Sequence, residues 1–366
     1  MKNLAYAVIG IGGVIALLVV AENILIPLVY GLVLWFLSRY FKNLLNRIPF
    51  IQKRVPNLLV NALVFGLVFM ALTFISGLIT TNISALIANG EVYTSNFNSV
   101  LAALNERFHI DIYQQILDSV QSFDYTSILG GVADGLSGAL GDFIMIILYA
   151  AFIFTEEASL SNKIKKLFST TEGHERATSI LRKINDATSD YIRLKTYVSL
   201  LTGLVGFIFL KIMGVDAAFF WAFLMFALNY IPTVGSLIAT LFPAVFSLVQ
   251  FGEITPFIII LAGLGIIEWF IGNVLEPRLM GSSLNLSPLV TILALIVWGQ
   301  IWGITGMLLS TPITVVMVII FSQFPGTRSV AILLSEKGEI NIIEEEETVA
   351  EPPEKEEVNE PEETTS

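Results

Sequence analysis

The chain has no cysteine, only two histidines (His109 and His174), and few charges, with 14% of its 366 residues Asp, Glu, Lys or Arg. Each shortage removes a class of chemistry. Without thiols there are no disulfides, no thiolate metal ligands and no cysteine nucleophile, and the redox compartment stays open. Two histidines do not build a histidine metal site within one chain, and each is read as a solvated loop or helix residue. No G-x-x-x-x-G-K-[ST] phosphate loop occurs, so ATP hydrolysis on this chain drives nothing. Neither an enzyme activity, nor a cofactor, nor a nucleic-acid partner is expected.

Apolar residues dominate what is there. At 55% hydrophobic and a mean hydropathy of +0.76, the chain belongs mostly to lipid. The formal charge of −11 is local: residues 336–363 hold thirteen of the thirty-one acidic side chains and two of the twenty basic ones. That leaves eighteen of each sign elsewhere, so the acidity describes a tail and not a binding surface.

The apolar runs 4–20, 24–41, 57–80, 128–154, 197–213, 217–250, 255–275 and 286–322 predict an all-α polytopic membrane protein of about eight spans. The first run resembles a signal peptide, but a second apolar run follows with no cleavage site, so it is read as a retained span. Two runs are too long for one crossing; 217–250 as a straight helix would reach roughly 50 Å. Pro232, Gly235 and Pro243 in one, and Gly299, Gly303, Gly306 and Pro312 in the other, permit breaks. Broken helices at membrane depth survive only where protein or a polar cavity shields the freed backbone. The predicted division is therefore 1–80 as an N-terminal hairpin plus third span, 81–127 as an outer helical loop, 128–154 as a fourth span, 155–196 as an inner helical loop, 197–322 as the transport core, and 323–366 as an acidic disordered tail.

Orientation follows from the loops. Arg39, Lys42, Arg47, Lys53 and Arg54 crowd 39–54 with no acid, whereas 81–127 carries five acids against Arg107 alone. Basic loops stay inside, which places both termini in the cytoplasm of a multi-pass cell-membrane protein. Helical spacing of Val100, Leu101, Leu104 and Phe108, and of Ile180, Leu181, Ile184 and Tyr191, gives both large loops amphipathic helices. The glycines of "GGVADGLSGALG" (130–141) read as helix-packing notches.

Ionisable and polar residues inside the apolar runs are the candidates for function. Glu268 is the deepest; at helical spacing Gly265, Gly272, Asn273 and Glu276 lie on neighbouring faces, a polar seam beside glycine. Glu268 either titrates or ties down a broken helix. Lys211 and Asp216 lie at segment ends and read as structural. Asn229 precedes the expected break at Pro232 and Gly235 and could satisfy freed carbonyls or touch a ligand. Trp298, Gln300 and Trp302 cluster mid-segment, either as an interfacial belt or as the floor of a polar pocket. Glu276 and Arg278 flank Pro277 in an expected turn between two spans.

Four stretches, "YIRLKTYVSLLTG" (191–203), "NYIPTVGSLIATLFPA" (229–244), "GNVLEPRLMGSSLNLSPLV" (272–290) and "WGQIWGITGMLLSTPIT" (298–314), resemble the autoinducer-2 exporter (AI-2E) family of membrane transporters. The matched family positions are Asn229, Pro232, Gly235, Pro243, Asn273, Glu276, Pro277, Gly281, Pro288, Gly306 and Pro312. The resemblance implies about eight spans, a homo-oligomer, and efflux of a small solute or ion in place of catalysis. It covers exporters of autoinducer-2 and sodium(lithium)/proton antiporters alike. A neutral polyol would use Asn229, Asn273, Gln300, Trp298 and Trp302; antiport would need a titrating carboxylate, for which Glu268 is best placed. A non-transporting scaffold is the third reading, and the broken segments argue against it.

The lack of native cysteine makes the topology directly testable. Ile110→Cys should react with an impermeant maleimide in intact cells, and Ala350→Cys only after permeabilisation. Reaction of both from outside would overturn the assignment of cytoplasmic termini.

Overall fold

The computed structural model describes residues 2–45, 57–108, 125–168, 170–280 and 286–338. The basic stretch 46–54, much of the outer loop with His109, and the acidic tail beyond 338 lie outside these. Among the described residues there is no strand; one isolated bridge pairs Leu286 with Ser335. Twelve helices follow one another among the described residues: α1 Lys2–Val20, α2 Glu22–Leu45, α3 Asn57–Ala88, α4 Gly90–Phe108, α5 Tyr125–Leu167, α6 Thr171–Ile212, α7 Ala218–Leu228, α8 Val234–Phe251, α9 Ile254–Phe270, α10 Glu276–Met280, α11 Pro288–Ser322 and α12 Arg328–Leu334. A π-helical turn, Ile271–Leu275, joins α9 to α10.

Six of these stretches are long and apolar enough to cross a membrane among the described residues. Helices α1 and α5 cover the other two runs read as spans, 4–20 and 128–154. Large apolar side chains such as Phe74, Leu237 and Ile304 face outward, 66–70% exposed. In water such a surface would drive aggregation; toward lipid it is the expected exterior.

Loops and spans merge more than the sequence suggests. Helix α6 is one 42-residue helix, roughly 60 Å long at 1.5 Å per residue, about twice the hydrocarbon core. Its start is capped, with Thr170 Oγ1 accepting from Gly173 N at 3.2 Å and Glu172 in the first turn. It then passes through residue 196 without a break, so the inner loop from Thr171 onward and the next span are one rod.

The run 217–250 does break. Helix α7 ends at Leu228, and α8 restarts at Val234 after Thr233, which adopts φ +60°. Positive φ in a β-branched residue is strained by about 1–3 kcal/mol and must be held by its surroundings. The tip bonds to itself: Ile231 N to Leu228 O at 2.8 Å, Gly235 N to Ile231 O at 3.2 Å, and Ser236 Oγ to Thr233 O at 3.0 Å. A Cβ on Gly235 would collide with the Leu228 carbonyl, so glycine is what lets the two arms touch.

The run 286–322 also folds back, although its helical segments abut with hardly a gap. Trp302 (φ −129°, ψ 19°) and Gly303 (φ +58°, ψ −139°) leave helical geometry. Trp298 Nε1 donates to Thr314 Oγ1 at 3.3 Å; sixteen residues of straight helix would put them roughly 24 Å apart. Gly306 repeats the device of Gly235, its missing Cβ making room for the Trp298 carbonyl. The C-terminal half thus holds two helical hairpins, α7–α8 and the two arms of α11.

The largest apolar core surrounds the first hairpin. Trp221 and Met225 of α7 and Ala239 and Ala244 of α8 pack with Ile79 and Ile83 of α3, Leu210 of α6 and Leu264 of α9. Beyond the apolar stretches, Tyr93 of α4 donates to Asp216 Oδ2 at 2.8 Å. Burial, and then Asp216 itself, push the Tyr93 phenol up to about 12, so it stays a donor at any physiological pH. Asp216 thereby ties the start of α7 to α4.

Gly235→Ala should cost about 1–3 kcal/mol by forcing the arms apart and lower the melting temperature in detergent. Gly265→Ala, where a Cβ would meet nothing within 4 Å, should leave the melting temperature unchanged or raise it slightly. Equal effects would contradict the close approach.

Candidate functional site

Helix α6 carries a stripe of buried polar residues: Tyr191, Lys195, Ser199 and Thr202, spaced by four, four and three. That spacing keeps one face of a helix, and that face points into the protein. Three other pieces converge on it.

The first is the tip of the α7–α8 hairpin. Asn229 Nδ2 donates to Ser199 Oγ at 3.1 Å, and the bond is buried. Thr196 Oγ1 lies 2.8 Å from Tyr230 Oη and 2.6 Å from Ile192 O. A hydroxyl has one proton, and the carbonyl can only accept, so Thr196 donates to Ile192 and Tyr230 donates to Thr196. Two neighbouring tip residues therefore clamp the break to α6.

The second piece is the stretch from α9 to α10. Lys195 Nζ donates to Glu276 Oε1 at 2.6 Å, with the lysine side chain 7% exposed and the glutamate 22%. Glu268 lies beside this pair, close enough to feel the charges of both. In a regular helix, residues eight apart are offset by about 80°. The π turn between them absorbs one extra residue, which cuts the offset to about 20°. Glu276 N reaches back five residues to Ile271 O, the signature of that turn. The stretch expected as a turn between two spans is therefore helical here, and its π geometry aims both carboxylates at α6.

The third is a groove of about 410 Å³ between α2 and α6. Arg39, Tyr40, Asn185, Ser189, Asp190, Arg193, Thr196 and Tyr197 supply its polar lining. Tyr40 and Tyr197 join hydroxyls across it. Thr196 lines the groove and also receives Tyr230, so one residue of the groove wall is held by the hairpin tip.

Glu268 has an unusual environment. It is 7% exposed, and among the described residues it is the one acidic side chain with a buried oxygen, Oε1, lacking any hydrogen-bond partner. A buried carboxyl oxygen without a partner is costly and marks a place where something else binds or where a proton is held.

The structure gathers Asn229, Glu268 and Glu276 around α6, with Pro232 and Gly235 shaping the tip. Asn273 and Arg278 are exposed, and Asn273 Nδ2 is spent on Trp269 O of its own helix at 3.0 Å. Gly265 and Gly272 have open space above them; the close helix approaches fall elsewhere. Trp298 and Trp302 face each other, ring centroids 5.6 Å apart. Trp302 Nε1 donates to Leu18 O of α1 at 3.0 Å, while Gln300 is exposed. Both indole N–H groups serve the second hairpin's fold.

Lys195, Thr196, Ser199 and Tyr230 escaped the sequence reading. Lys195 and Thr196 fell in the stretch assigned to the inner loop, because the apolar run begins only at 197. The signal was the polar repeat 191, 195, 199 and 202 running across that boundary.

Broken helices folded back inside a multi-pass bundle, around buried charges and a polar groove, define a membrane transport protein in class. The sequence profile of AI-2E family transporters matches residues 4–326, and the chain belongs to that family. It is 32% identical over 320 residues to the AI-2 transport protein TqsA of Escherichia coli K12, covering 86% of this chain and 90% of that protein. A putative transport protein of Haemophilus influenzae is 31% identical over 345 residues, covering 91% and 97%. The putative transport protein YhhT of Escherichia coli K12 is 30% identical over 307 residues, covering 81% and 86%. Membership sets aside the scaffold reading.

Lys195→Met should be severely destabilising, by about 3–5 kcal/mol, because it leaves two buried carboxylates without their cation. Adding Glu276→Gln should restore part of the lost melting temperature. A double variant no better than the single would show that the two do not interact.

Proposed function

We propose that the chain exports a small, polar, uncharged signal of the autoinducer-2 type across the cell membrane. The groove whose wall includes Thr196, bonded to Tyr230, carries this reading. Its hydroxyls, amide and aromatic rings suit a small polyol, and its arginines are already ion-paired (Arg39 with Glu157, Arg193 with Asp190). One lining residue, Thr196, is held by the tip of a broken helix, the part of a transporter that can move. The name of the Escherichia coli relative points to the same solute. In this proposal both termini are cytoplasmic, 197–322 with the inner end of α6 forms the transport core, and the chain works as a homo-oligomer whose partner surfaces lie among the exposed apolar faces.

A second reading, sodium(lithium)/proton antiport, is favoured by one observation: Glu268 and its unpartnered oxygen beside Lys195. A titrating carboxylate at membrane depth is what such exchange requires.

Purified protein in liposomes, scored in parallel for autoinducer-2 and for sodium-driven proton flux, separates the two. For the export reading, Tyr230→Phe should lower autoinducer-2 flux by up to about tenfold, the worth of one hydrogen bond. Undiminished export in Tyr230→Phe, at equal reconstituted protein, would remove the hairpin tip from the path.

A further inference from the structure

We infer that Glu268, together with the Lys195–Glu276 pair, forms a site for one monovalent positive charge per chain, filled by a proton or by a small alkali cation but not by both at once. The inference rests on the antiport reading for the identity of the ions, and deepens it by fixing their number.

The charge count comes from the site itself. Lys195 contributes one positive charge and is committed to Glu276 at 2.6 Å. Glu268, 7% exposed, has a buried oxygen with no donor. The charged groups acting on it are Lys195 from α6 and Glu276 from α10. The buried phenol of Tyr191 of α6 also feels Glu276. Arg278 is exposed and turned away from the buried face. Two carboxylates and one ammonium leave one negative charge in a largely buried site. One proton on the Glu268 carboxylate gives a neutral acid, and one alkali cation bound there gives a neutral ion pair. A second positive charge would leave an uncompensated cation in the same low-dielectric place, which buried sites avoid.

Lys195 is what sets this number. It is a tethered cation that neutralises Glu276 permanently, so only Glu268 exchanges its partner. Proton and alkali cation then compete for one carboxylate, and their exchange is one for one and moves no net charge.

The test uses purified full-length protein in weakly buffered detergent solution with a pH indicator, from about pH 5 to about pH 9, the span over which a perturbed carboxylate titrates. Addition of sodium chloride should release up to one proton per chain, and addition of choline chloride none. Glu268→Gln should release none, and Glu268→Asp, which keeps the carboxylate, should restore release and so controls for misfolding. In liposomes, sodium–proton exchange should not respond to an imposed potassium–valinomycin potential. Release unchanged in Glu268→Gln, release exceeding one proton per chain, no sodium-specific release at any pH, or exchange driven by the potential would each overturn the inference. Autoinducer-2 export, scored in the same vesicles, reports separately on the export reading and can fail or persist independently of proton release.

Discussion

Hydrocarbon offers no hydrogen-bond partner, so every backbone amide and carbonyl freed by a helix break has to find one within the protein. That constraint shapes the C-terminal half. The first hairpin closes its own tip with short backbone bonds around Ile231 and Gly235 and is clamped from outside by α6. The second is turned by Gly303 and covered by α1, which accepts the Trp302 N–H at Leu18 O. In both, a glycine removes the Cβ that would keep the arms apart, so partners stay within reach. The N-terminal helices therefore do more than anchor the chain; α1 and α2 close over the second hairpin, with Tyr30 of α2 reaching Thr305 at 3.4 Å.

The same scarcity of partners explains the charges. A lysine as deeply buried as Lys195 needs a counter-ion with good geometry, and Glu276 provides it at 2.6 Å. An unkinked helix would carry Glu276 and Glu268 on faces about 80° apart, leaving one of them to lipid. The π turn corrects the phase. Pro277, which has no N–H to continue the α pattern, lies directly after it, so the sequence reinforces the irregularity that aligns the acids. Local backbone geometry and electrostatics are here one feature and not two.

Much of this was legible in the sequence. The eight apolar runs, the two that had to break, and the residues that permit breaking all follow from hydropathy and from the positions of proline and glycine. Glu268 stood out because an acid in an apolar run has no bland neighbourhood. What stayed hidden depends on phase and continuity. Hydropathy marks where apolar residues begin, not where a helix begins, so Lys195 was assigned to the helical inner loop although it lies on the same unbroken helix as the next span. A one-residue π insertion leaves no mark in composition. The exposed placement of Asn273, Gln300 and Arg278 could not be read either, because polar residues in or beside a membrane segment face inward or outward according to a phase that only the packed structure sets.

Lys195 and Thr196 are consecutive, so their side chains leave α6 about 100° apart. One points to the carboxylates of α9 and α10, the other to the groove and to Tyr230. The hairpin tip grips both sides of that junction, Asn229 through Ser199 on the charged face and Tyr230 through Thr196 on the groove face. In the proposed reading, then, a solute that displaces Tyr230 loosens the same tip whose Asn229 borders the charged stripe. Ion occupancy at Glu268 bears on that tip from the other side. Coupling between two such sites needs only one element with two positions, biased from both sides. A short tip held by two side-chain bonds, strained at Thr233 and jointed at Gly235, has the physical properties of that element.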